Sequence, residues 1–507
     1  MMHLPAFFFT GLILLLLPFT AAANDAGQLK PNVLWIIADD MSPHFSCYGE
    51  KSIATPHLDR LAAEGTRFSQ GHVTAPVCSP CRSALISGMY QTSIGAHHHR
   101  SGRGTVRQTL PPPVEPVPVL FQRAGYYTCI GNGQGSRDKP NARGKTDYNF
   151  DWDPAMYDGS DWSGRKKGQP FFMQVQLPGG KLRGASPAAA KSLAARAARE
   201  LGSNVKPADV TLPPHYPRDP ALLEDWAAYL DAVRLTDHHV GQVIARLEKE
   251  GVLENTLILF LTDHGISHAR GKQFLYDEGT RVGFILRGPG VPEGKVRNDP
   301  VSANIDAPAL SLAAAGLPVP DWMQGRDLLA KNYQPREAIF AARDRCDETV
   351  DGIRSVRTAR WKYIRNFYPD RPMLQPNAYK DSKAIVQTLR RLHESKQLSE
   401  LHDYLFFAPT RAPEELYDLT ADPFELNNLA AHPDQKSTLL SLRSRLDAWM
   451  EETKDQGREP EAEATYDSDM NAADPAGGSK PPKAGPGAAN IELMKRWRTE
   501  RQMKVNP

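Results

Sequence analysis

The stretch NVLWIIADD (residues 32–40) is apolar from its second residue until it ends in two aspartates. The stretch NTLILFLTDHG (residues 255–265) has the same form and ends in an Asp-His pair before a glycine. Continuous apolar runs of this length are typical of parallel strands that are covered on both faces of a sheet. These two stretches therefore predict that the chain is built around a buried, mainly parallel sheet.

Helical patterns lie between the two predicted strands. The stretch TPHLDRLAAEG offers Thr55 as an N-cap, Pro56 at the first helical position and Gly65 as a stop. Between residues 222 and 250, apolar side chains recur at helical spacing until Gly251. Helices alternating with apolar strands predict an α/β fold, with a large, doubly wound sheet.

The two ends of the chain differ from the rest in composition. The apolar run in residues 1–23 ends in three alanines and is too short to span a membrane, so we interpret it as a signal peptide; an uncleaved anchor is the alternative. A periplasmic or secreted protein with no membrane span after cleavage is expected. Residues 455–507, rich in Pro, Gly, Ala and charge, predict a flexible tail with a short helix at 491–503.

Net charge and cysteine count exclude several classes of protein. The formal net charge is +2, from 61 basic and 59 acidic residues, so nothing global favours nucleic acid or a membrane surface as a partner. The 507 residues suffice for two domains. Five cysteines are an odd number, which argues against a disulfide framework in an exported chain.

The acidic ends of the two predicted strands favour a metal site. Ligands of open α/β sheets bind beyond the carboxyl ends of the strands, where Asp39, Asp40, Asp263 and His264 are expected. Carboxylate oxygens favour a hard cation, Ca²⁺ rather than Mg²⁺, although the nitrogen of His264 suits a transition metal better.

The stretch APVCSPCRSALISG (residues 75–88) contains a C-x-x-C motif. It predicts a turn running into a helix, with Cys78 near the positive N-terminal end. A redox pair would follow a strand in a small βαβ unit, and a zinc site would need another pair of ligands. A disulfide across so short a loop would be strained.

Several stretches, in order along the chain, resemble the formylglycine-dependent sulfatases of the alkaline phosphatase superfamily. CSPCR looks like the C-x-P-x-R signature of that family, and residues 31–40, 55–88 and 257–265 are similar to its first strand, nucleophile region and second metal-binding strand. RTARWKYIRN and ELYDLTADPFELNNLA look like its C-terminal subdomain. Within the family, the chain resembles bacterial sulfatases related to sulfamidase.

The resemblance implies that a maturase oxidises Cys78 to formylglycine during biosynthesis. One hydroxyl of the hydrated aldehyde then attacks the sulfur of a sulfate ester and releases the alcohol, and the second hydroxyl expels sulfate. By similarity, Asp39, Asp40, Asp263, His264 and the modified Cys78 bind the cation. Arg82 would hold the diol, and Lys272 matches the basic residue that binds sulfate.

Two departures from the family pattern concern positive charge and proton transfer. After GYYTCIG the G-K-x-H motif of the family is missing, and Gly144-Lys145-Thr146-Asp147 is interpreted as that motif displaced by a loop, with a solvated surface lysine as the alternative. A later family histidine aligns with Lys181. Asp147 would protonate the leaving oxygen only with a raised pKa, so it is also assigned to substrate binding, and His268 is a further candidate.

Two more features allow a functional and an ordinary interpretation. GAHHHRSGRG places His99 and Arg100 where they could line an anionic sugar pocket; a metal-binding tract and a solvated loop are the alternatives. Cys81 stands where the family usually has Ser or Ala. It is either a small substituent or a thiol that traps Cys78 in a disulfide.

Together these observations predict three regions after the signal peptide: a sulfatase catalytic domain at 30–334, a smaller C-terminal α+β subdomain at 335–454, and the tail. The expected reaction is hydrolysis of sulfate esters, or sulfamates, of a sulfated polysaccharide or oligosaccharide. Two rival hypotheses are a phosphoester or phosphonate hydrolase of the same superfamily and a non-catalytic protein that binds sulfated glycans.

Overall fold

The computed structural model describes residues 30–134, 144–472 and 486–505. The predicted signal peptide, residues 1–23, lies outside the described residues. Among the described residues, no helix is long and apolar enough to cross a membrane.

The described strands are β1 (Asn32–Ala38), β2 (Thr66–Phe68), β3 (Gly71–His72), β4 (Tyr127–Gly131), β5 (Phe171–Leu177), β6 (Thr256–Thr262), β7 (Phe284–Arg287), β8 (Lys295–Arg297), β9 (Val301–Ser302), β10 (Ile339–Arg343), β11 (Ile353–Arg357), β12 (Trp361–Asn366) and β13 (Glu414–Asp418). The described α-helices are α1 (Pro56–Ala63), α2 (Cys78–Ser87), α3 (Val117–Arg123), α4 (Pro187–Leu201), α5 (Pro220–Lys249), α6 (Asp277–Thr280), α7 (Ala303–Ala314), α8 (Ala378–Asp381), α9 (Ala384–Glu394), α10 (Glu400–Phe407), α11 (Lys436–Glu452), α12 (Glu463–Asn471) and α13 (Pro486–Val505).

The large sheet has seven strands in the order β4-β5-β1-β6-β7-β2-β8. The pairs β4–β5, β5–β1, β1–β6 and β2–β8 are parallel, whereas β7 is antiparallel to both of its neighbours. The two strands predicted from apolar runs, β1 and β6, lie side by side in the middle of the sheet. All seven residues of each are buried, which confirms the prediction of strands covered on both faces.

Alternate residues of β1 belong to two different hydrophobic cores. Leu34, Ile36 and Ala38 pack with α1, α5 and α9 on one face, whereas the side chains between them pack with α2, α3 and α7 on the other. This is the period of two that a strand imposes. The sheet is therefore covered by helices on both faces, and the predicted α/β class is confirmed.

The helices predicted from local signals are present. The helix α1 begins at Pro56 with Thr55 at its N-cap, and the long pattern after residue 222 forms the 30-residue helix α5. The C-x-x-C stretch forms α2, which begins at Cys78 itself and ends at Gly88, where the backbone adopts φ 68°.

The smaller sheet is antiparallel, in the order β10-β11-β12-β13, and the stretches RTARWKYIRN and ELYDLTADPFELNNLA supply its last two strands. It is joined to the large domain by an Ala342 N–H donated to the carbonyl of Thr74 at 2.9 Å. Asp277, at the start of α6, also accepts hydrogen bonds from Arg357 at 2.9 Å and Lys362 at 2.5 Å. These contacts hold the smaller sheet against the large domain.

The helix predicted at 491–503 lies within α13, and the other described residues of the predicted tail are packed into the fold instead of forming a free segment. Residues 456–458 and 463–471 are helical, and Tyr466 and Met470 of α12 pack against Ile491 and Met494 of α13. Asp455 forms a fully buried ion pair with Arg354 at 2.5 Å. Carboxylates of this segment neutralise arginines of the C-terminal subdomain, which is why the segment is polar. Composition does not show this pairing, so composition alone suggested disorder.

Candidate active site

The four predicted metal ligands emerge together because β1 and β6 are parallel and in register. Ala38 pairs with Thr262, so the residues that follow these two leave the sheet at the same edge. The Asp40 N–H donates to Asp263 Oδ1 at 3.0 Å, and His264 Nε2 lies 3.3 Å from Asp40 Oδ1. Asp40 has φ 54°, a left-handed conformation that non-glycine residues rarely adopt outside functional sites.

Cys78 joins this group from α2. Its Sγ lies 3.2 Å from His264 Nε2, and ligand atoms of Asp40, Cys78, Asp263 and His264 all lie within 4.8 Å of one another. Two carboxylates, an imidazole and the residue at position 78 form a donor set that fits one divalent cation. All four residues are buried.

Three lysine amines surround the thiol and the carboxylates. Lys272 Nζ lies 3.1 Å from Cys78 Sγ, and Lys181 Nζ lies 3.7 Å from it and contacts Asp39. Lys145 Nζ lies 3.1 Å from Asp39 Oδ2. The structure thus brings together the three lysines predicted from the sequence. One of them, Lys145, belongs to a motif that occurs later in this chain than the family pattern predicts.

Arg82, one helical turn after Cys78, lies beneath the same group. Its guanidinium pairs with Asp39, lies 3.3 Å from Asp263 Oδ2 and donates to Gln176 Oε1 at 2.5 Å. Gln176 comes from the end of β5, the neighbour of β1, and was not nominated from the sequence. The two Gln residues inside an otherwise apolar strand (FFMQVQL) are the signal that could have pointed to it.

The surrounding positive charges set the protonation of the site. Burial opposes ionisation of Asp39, but Arg82, Lys145 and Lys181 hold the pKa of that carboxyl well below its usual range. Burial likewise opposes ionisation of Cys78, but the three lysines lower the pKa of its thiol well below the ordinary value. Position 78 is therefore the focus of a strong positive field.

Two other predicted substrate residues, His99 and Asp147, lie close to Cys78. A ring nitrogen of His99, the Cys78 Sγ and a carboxylate oxygen of Asp147 lie within 4.8 Å of one another. Asp147 pairs with Arg103 and lies 3.5 Å from Lys145 Nζ. Burial opposes ionisation of Asp147, but Lys145 and Arg103 lower its pKa, so the condition under which it would donate a proton is not met.

Arg100 and His99 both face Asp347, a residue of the β10–β11 connection. His99 Nδ1 lies 3.1 Å from Asp347 Oδ1, and Arg100 Nη1 lies 3.9 Å from the same oxygen. Asp347 was not nominated from the sequence, since nothing local in RDRCDE distinguishes it from a loop carboxylate. Only the docking of the smaller sheet brings it to the site.

His268 and Cys81 lie in the protein interior. The ring of His268 stacks on Trp226 at 5.0 Å, and its Nε2 lies 2.5 Å from Asp225 and 3.0 Å from Arg183. Within the described residues, no contact of the ring with the lysine and carboxylate group is recorded. Cys81 is fully buried in a hydrophobic core, and Cys78 and Cys81 are both free thiols, so the structure contains no Cys78–Cys81 disulfide.

A cavity of about 370 Å³ opens beside this group. Its lining includes Asp39, Lys145, Gln176 and Lys181. Tyr379, another residue that was not nominated, lies with its hydroxyl 3.4 Å from Lys272 Nζ and 3.5 Å from Asp40 Oδ2. The arrangement presents positive charge and space to an anionic group next to residue 78.

Comparison with protein families identifies two matches. Residues 31–317 match the family model described as Sulfatase. Residues 264–405 match the model described as N-sulphoglucosamine sulphohydrolase, C-terminal. The first match covers the large domain with all the metal, lysine and arginine positions described above, and the second reaches into the C-terminal subdomain.

Relatives and solved structures agree with these matches. The chain is 32% identical over 474 residues to an ulvan-active sulfatase of Formosa agariphila, covering 86% of this chain and 77% of the relative. It is 28% identical over 473 residues to human N-sulphoglucosamine sulphohydrolase, covering 84% and 90%. A solved structure of a protein in complex with its substrate D-glucosamine-2-N,6-O-disulfate superposes with a TM-score of 0.59 at 18% identity, covering 85% of this chain and 100% of the other. This last likeness concerns the fold.

Proposed function

Because this chain belongs to the sulfatase family, we propose that it hydrolyses sulfate esters, or sulfamates, of a sulfated polysaccharide or oligosaccharide. The names of its relatives support a glycan substrate, since one is described as ulvan-active and another as an N-sulphoglucosamine sulphohydrolase. Export to the periplasm or the medium suits a polymeric substrate that is degraded outside the cytoplasm.

One observation carries the proposal. Three lysines and Arg82 converge on the carboxylates and the thiol at the carboxyl edge of the large sheet, with Lys272 Nζ 3.1 Å from Cys78 Sγ. A protein that only binds glycans has little use for a buried thiol in contact with a candidate cation site and a lysine. The group is arranged around the place where a sulfur atom would be attacked.

Two groups supplied after synthesis complete the proposed site. A formylglycine made from Cys78 by a maturase supplies an oxygen nucleophile in its hydrated form, and a calcium ion supplies charge that lowers the pKa of that oxygen nucleophile. Asp40, Asp263 and His264 would hold the cation together with residue 78, and Asp39, which pairs with Arg82, Lys145 and Lys181, is proposed as a further ligand. Arg82, held by Asp39, Asp263 and Gln176, fixes the orientation of the carboxylates and offers positive charge beneath residue 78.

The lysines bind the sulfate group. Lys145, Lys181 and Lys272 are positioned to pair with its oxygens, whose negative charge they match, and pre-placed positive charge costs no reorganisation during the reaction. Because these amines already neutralise Asp39 and Asp40, they are held in place before substrate arrives. A phosphate monoester carries more negative charge than a sulfate monoester. Comparing the turnover rates of the two substrates therefore distinguishes a sulfatase from a phosphoester hydrolase.

The sugar that carries the sulfate is proposed to lie against His99, Arg100 and Asp147. These side chains come from two loops of the large domain, and Asp347 of the smaller domain faces the first two of them. A carboxylate and a guanidinium at the mouth of the site suit hydrogen bonds to sugar hydroxyls, an amine or an acidic group.

The test is peptide mass spectrometry across residues 68–100, on protein made together with a formylglycine-generating maturase, combined with an assay of sulfate release. We expect an aldehyde in place of the Cys78 thiol and release of sulfate from sulfated glycan oligosaccharides. Cys78→Ala is expected to abolish release, whereas Cys47→Ser, which alters a half-buried thiol elsewhere, is the matched control. Unmodified Cys78 beside an active maturase, or binding of the oligosaccharide without release, would refute the proposal.

A further inference from the structure

His99 occupies a defined position between residue 78 and the smaller domain. Its Nδ1 lies 3.1 Å from Asp347 Oδ1, its side chain is only 5% exposed, and a ring nitrogen lies within 4.8 Å of the Cys78 Sγ. Since Asp347 faces Nδ1, we infer that Nε2, at the far edge of the ring, is the nitrogen that would meet a substrate. A histidine whose other nitrogen faces a carboxylate is the arrangement that enzymes use for general acid and base catalysis.

Two hydrogen bonds donated by backbone N–H groups fix the loop that carries His99. The Arg100 N–H donates to Ser79 Oγ at 2.8 Å, which ties the loop to the helix that begins at Cys78. The His99 N–H donates to the carbonyl of Arg345 at 2.8 Å, which ties it to the smaller domain. The guanidinium of Arg345 is itself buried and pairs with Asp469 at 2.6 Å. The backbone that carries the ring is therefore held in place by both domains.

The other polar groups near residue 78 are poor proton donors. Lys145, Lys181 and Lys272 are amines whose ordinary pKa lies far above neutrality. Asp147 is an ionised partner of Arg103. Departure of a sugar alkoxide from sulfur needs a proton, and the imidazole of His99, which is not part of the Asp40–Cys78–Asp263–His264 group, lies close enough to residue 78 to be its source.

We propose that His99 is the general acid that protonates the leaving oxygen of the substrate, with Asp347 as the positioning residue that holds its ring; the inference rests on the proposed sulfatase function. As the nucleophilic oxygen bonds to sulfur, the bond from sulfur to the glycan oxygen breaks, and its electron pair stays on that oxygen. The proton on His99 Nε2 moves to the same oxygen, which leaves as an alcohol, and the imidazole becomes neutral until it takes a proton from solvent.

The test uses two substrates that differ in their need for a proton. A sulfated monosaccharide or oligosaccharide releases a poor leaving group, whereas 4-nitrophenyl sulfate releases a stabilised phenolate. His99→Gln is expected to lower kcat/KM for the sugar sulfate roughly 100-fold or more, and to change that for 4-nitrophenyl sulfate by less than about fivefold. Asp347→Asn should act in the same direction, by about tenfold or more, because it removes the charge that stabilises the protonated ring.

Binding separates catalysis from structure. In a Cys78→Ala background, which cannot turn over, calorimetry should find that His99→Gln changes the Kd of the sulfated sugar by less than about threefold, since positioned acids act mainly in the transition state. His393→Gln is the matched control, because His393 Nδ1 of α9 lies 2.6 Å from Asp403 of α10 in an exposed His–Asp pair. It should leave both rates unchanged.

The outcomes distinguish the two proposals. Wild-type protein that carries formylglycine but hydrolyses neither substrate would overturn the proposed function and this inference with it. Active wild type with a His99→Gln variant that loses both substrates equally, or neither, would overturn the inference alone. A loss confined to the sugar sulfate, without a matching loss of binding, is the result expected of a general acid.

Discussion

Lys272 Nζ lies 3.1 Å from Cys78 Sγ, although the two residues are 194 positions apart in the chain. The same amine lies 3.1 Å from Asp40 Oδ1, so it links the proposed nucleophile to a proposed cation ligand. A fully buried amine in this position is costly to keep charged unless negative groups surround it. The site is therefore built so that a bound anion and the carboxylates share its positive charge.

Removing this amine tests its role in binding sulfate. Lys272→Met is expected to lower kcat for sulfate release by about 100-fold to 1,000-fold, the usual effect of losing one pre-placed donor to a developing negative charge. Lys272→Arg should retain part of the activity because the charge remains. The measurement is initial-rate sulfate release from protein whose formylglycine content has been determined.

A control is available on the exposed strand β8. Lys295→Met removes an amine that lies in solvent and should leave sulfate release unchanged. If Lys272→Met kept full activity at equal formylglycine content, Lys272 would have no part in binding sulfate.

The cation site makes a prediction about stability. Asp40, Asp263 and His264 are buried ligand candidates, and their site exists only in the folded chain. A cation that binds only the folded chain stabilises it by about 2.7 kcal/mol when the cation concentration is 100 times the Kd. Chelation should lower the melting temperature by a few degrees and abolish sulfate release, and Ca²⁺ should restore both better than Mg²⁺. Differential scanning fluorimetry provides the measurement.

Asp263→Asn is the matched variant for this experiment. It keeps the shape of the side chain but removes the charge, so Ca²⁺ should no longer raise its melting temperature. Restoration of wild type by Zn²⁺ but not by Ca²⁺ would contradict the assignment of calcium and would give more weight to the nitrogen of His264.

The strands and the cation ligands were predictable because their signals are local. An apolar run that ends in Asp39 indicates both a buried strand and a polar residue at its carboxyl end, and Asp263 repeats this pattern. Once both strands are parallel neighbours, their ends must meet. Lys145 and Lys181 were nominated through a family motif, and the sheet brings them together because β4 and β5 end at that same edge.

The remaining residues depend on contacts that no local pattern records. Asp347 reaches His99 only because the smaller sheet docks beside α2, and Gln176 is one of two glutamines within β5, a pattern that does not say which of them faces the site. The tail was predicted to be flexible from its composition, although the partners of its carboxylates are arginines more than 100 positions earlier. Long-range charge pairing is invisible to composition and to periodicity.

Asp455 provides a direct test of the folded tail. It pairs with Arg354 at 2.5 Å, and both side chains are fully buried, so Asp455→Ala would leave a guanidinium without its main counter-ion. The expected loss is about 3–5 kcal/mol in the free energy of unfolding, measured by chemical denaturation. Glu337→Ala breaks an exposed pair with Arg445 and should cost less than about 1 kcal/mol. Equal effects of the two variants would mean that the tail adds little to stability.

Asp344 shares the guanidinium of Arg354 with Asp455, and this sharing predicts a dependence of stability on pH. Burial raises the pKa of Asp344 to about 7; Arg354, 3.1 Å away, opposes this increase, and the negative charge of Asp455 adds to it. The folded chain therefore keeps a proton on Asp344 at pH values where the unfolded chain, with an ordinary pKa of about 3.9, has lost it. The contribution of this proton to stability is fully present below about pH 4 and is lost as the pH rises through 7.

Asp344→Asn imitates the protonated state and should remove this part of the pH dependence. The free energy of unfolding of both proteins is measured with urea between pH 5 and 8, and the wild-type value is subtracted from the variant value. This difference should increase by about 1.4 kcal/mol per pH unit up to about pH 7 and then level off at a few kcal/mol. Taking the difference cancels the other titrating groups, provided that Arg354 and Asp455 keep their pair. A difference that stays constant over this range would mean that Asp344 is already ionised in the folded protein, and that Arg354 is able to neutralise both carboxylates at once.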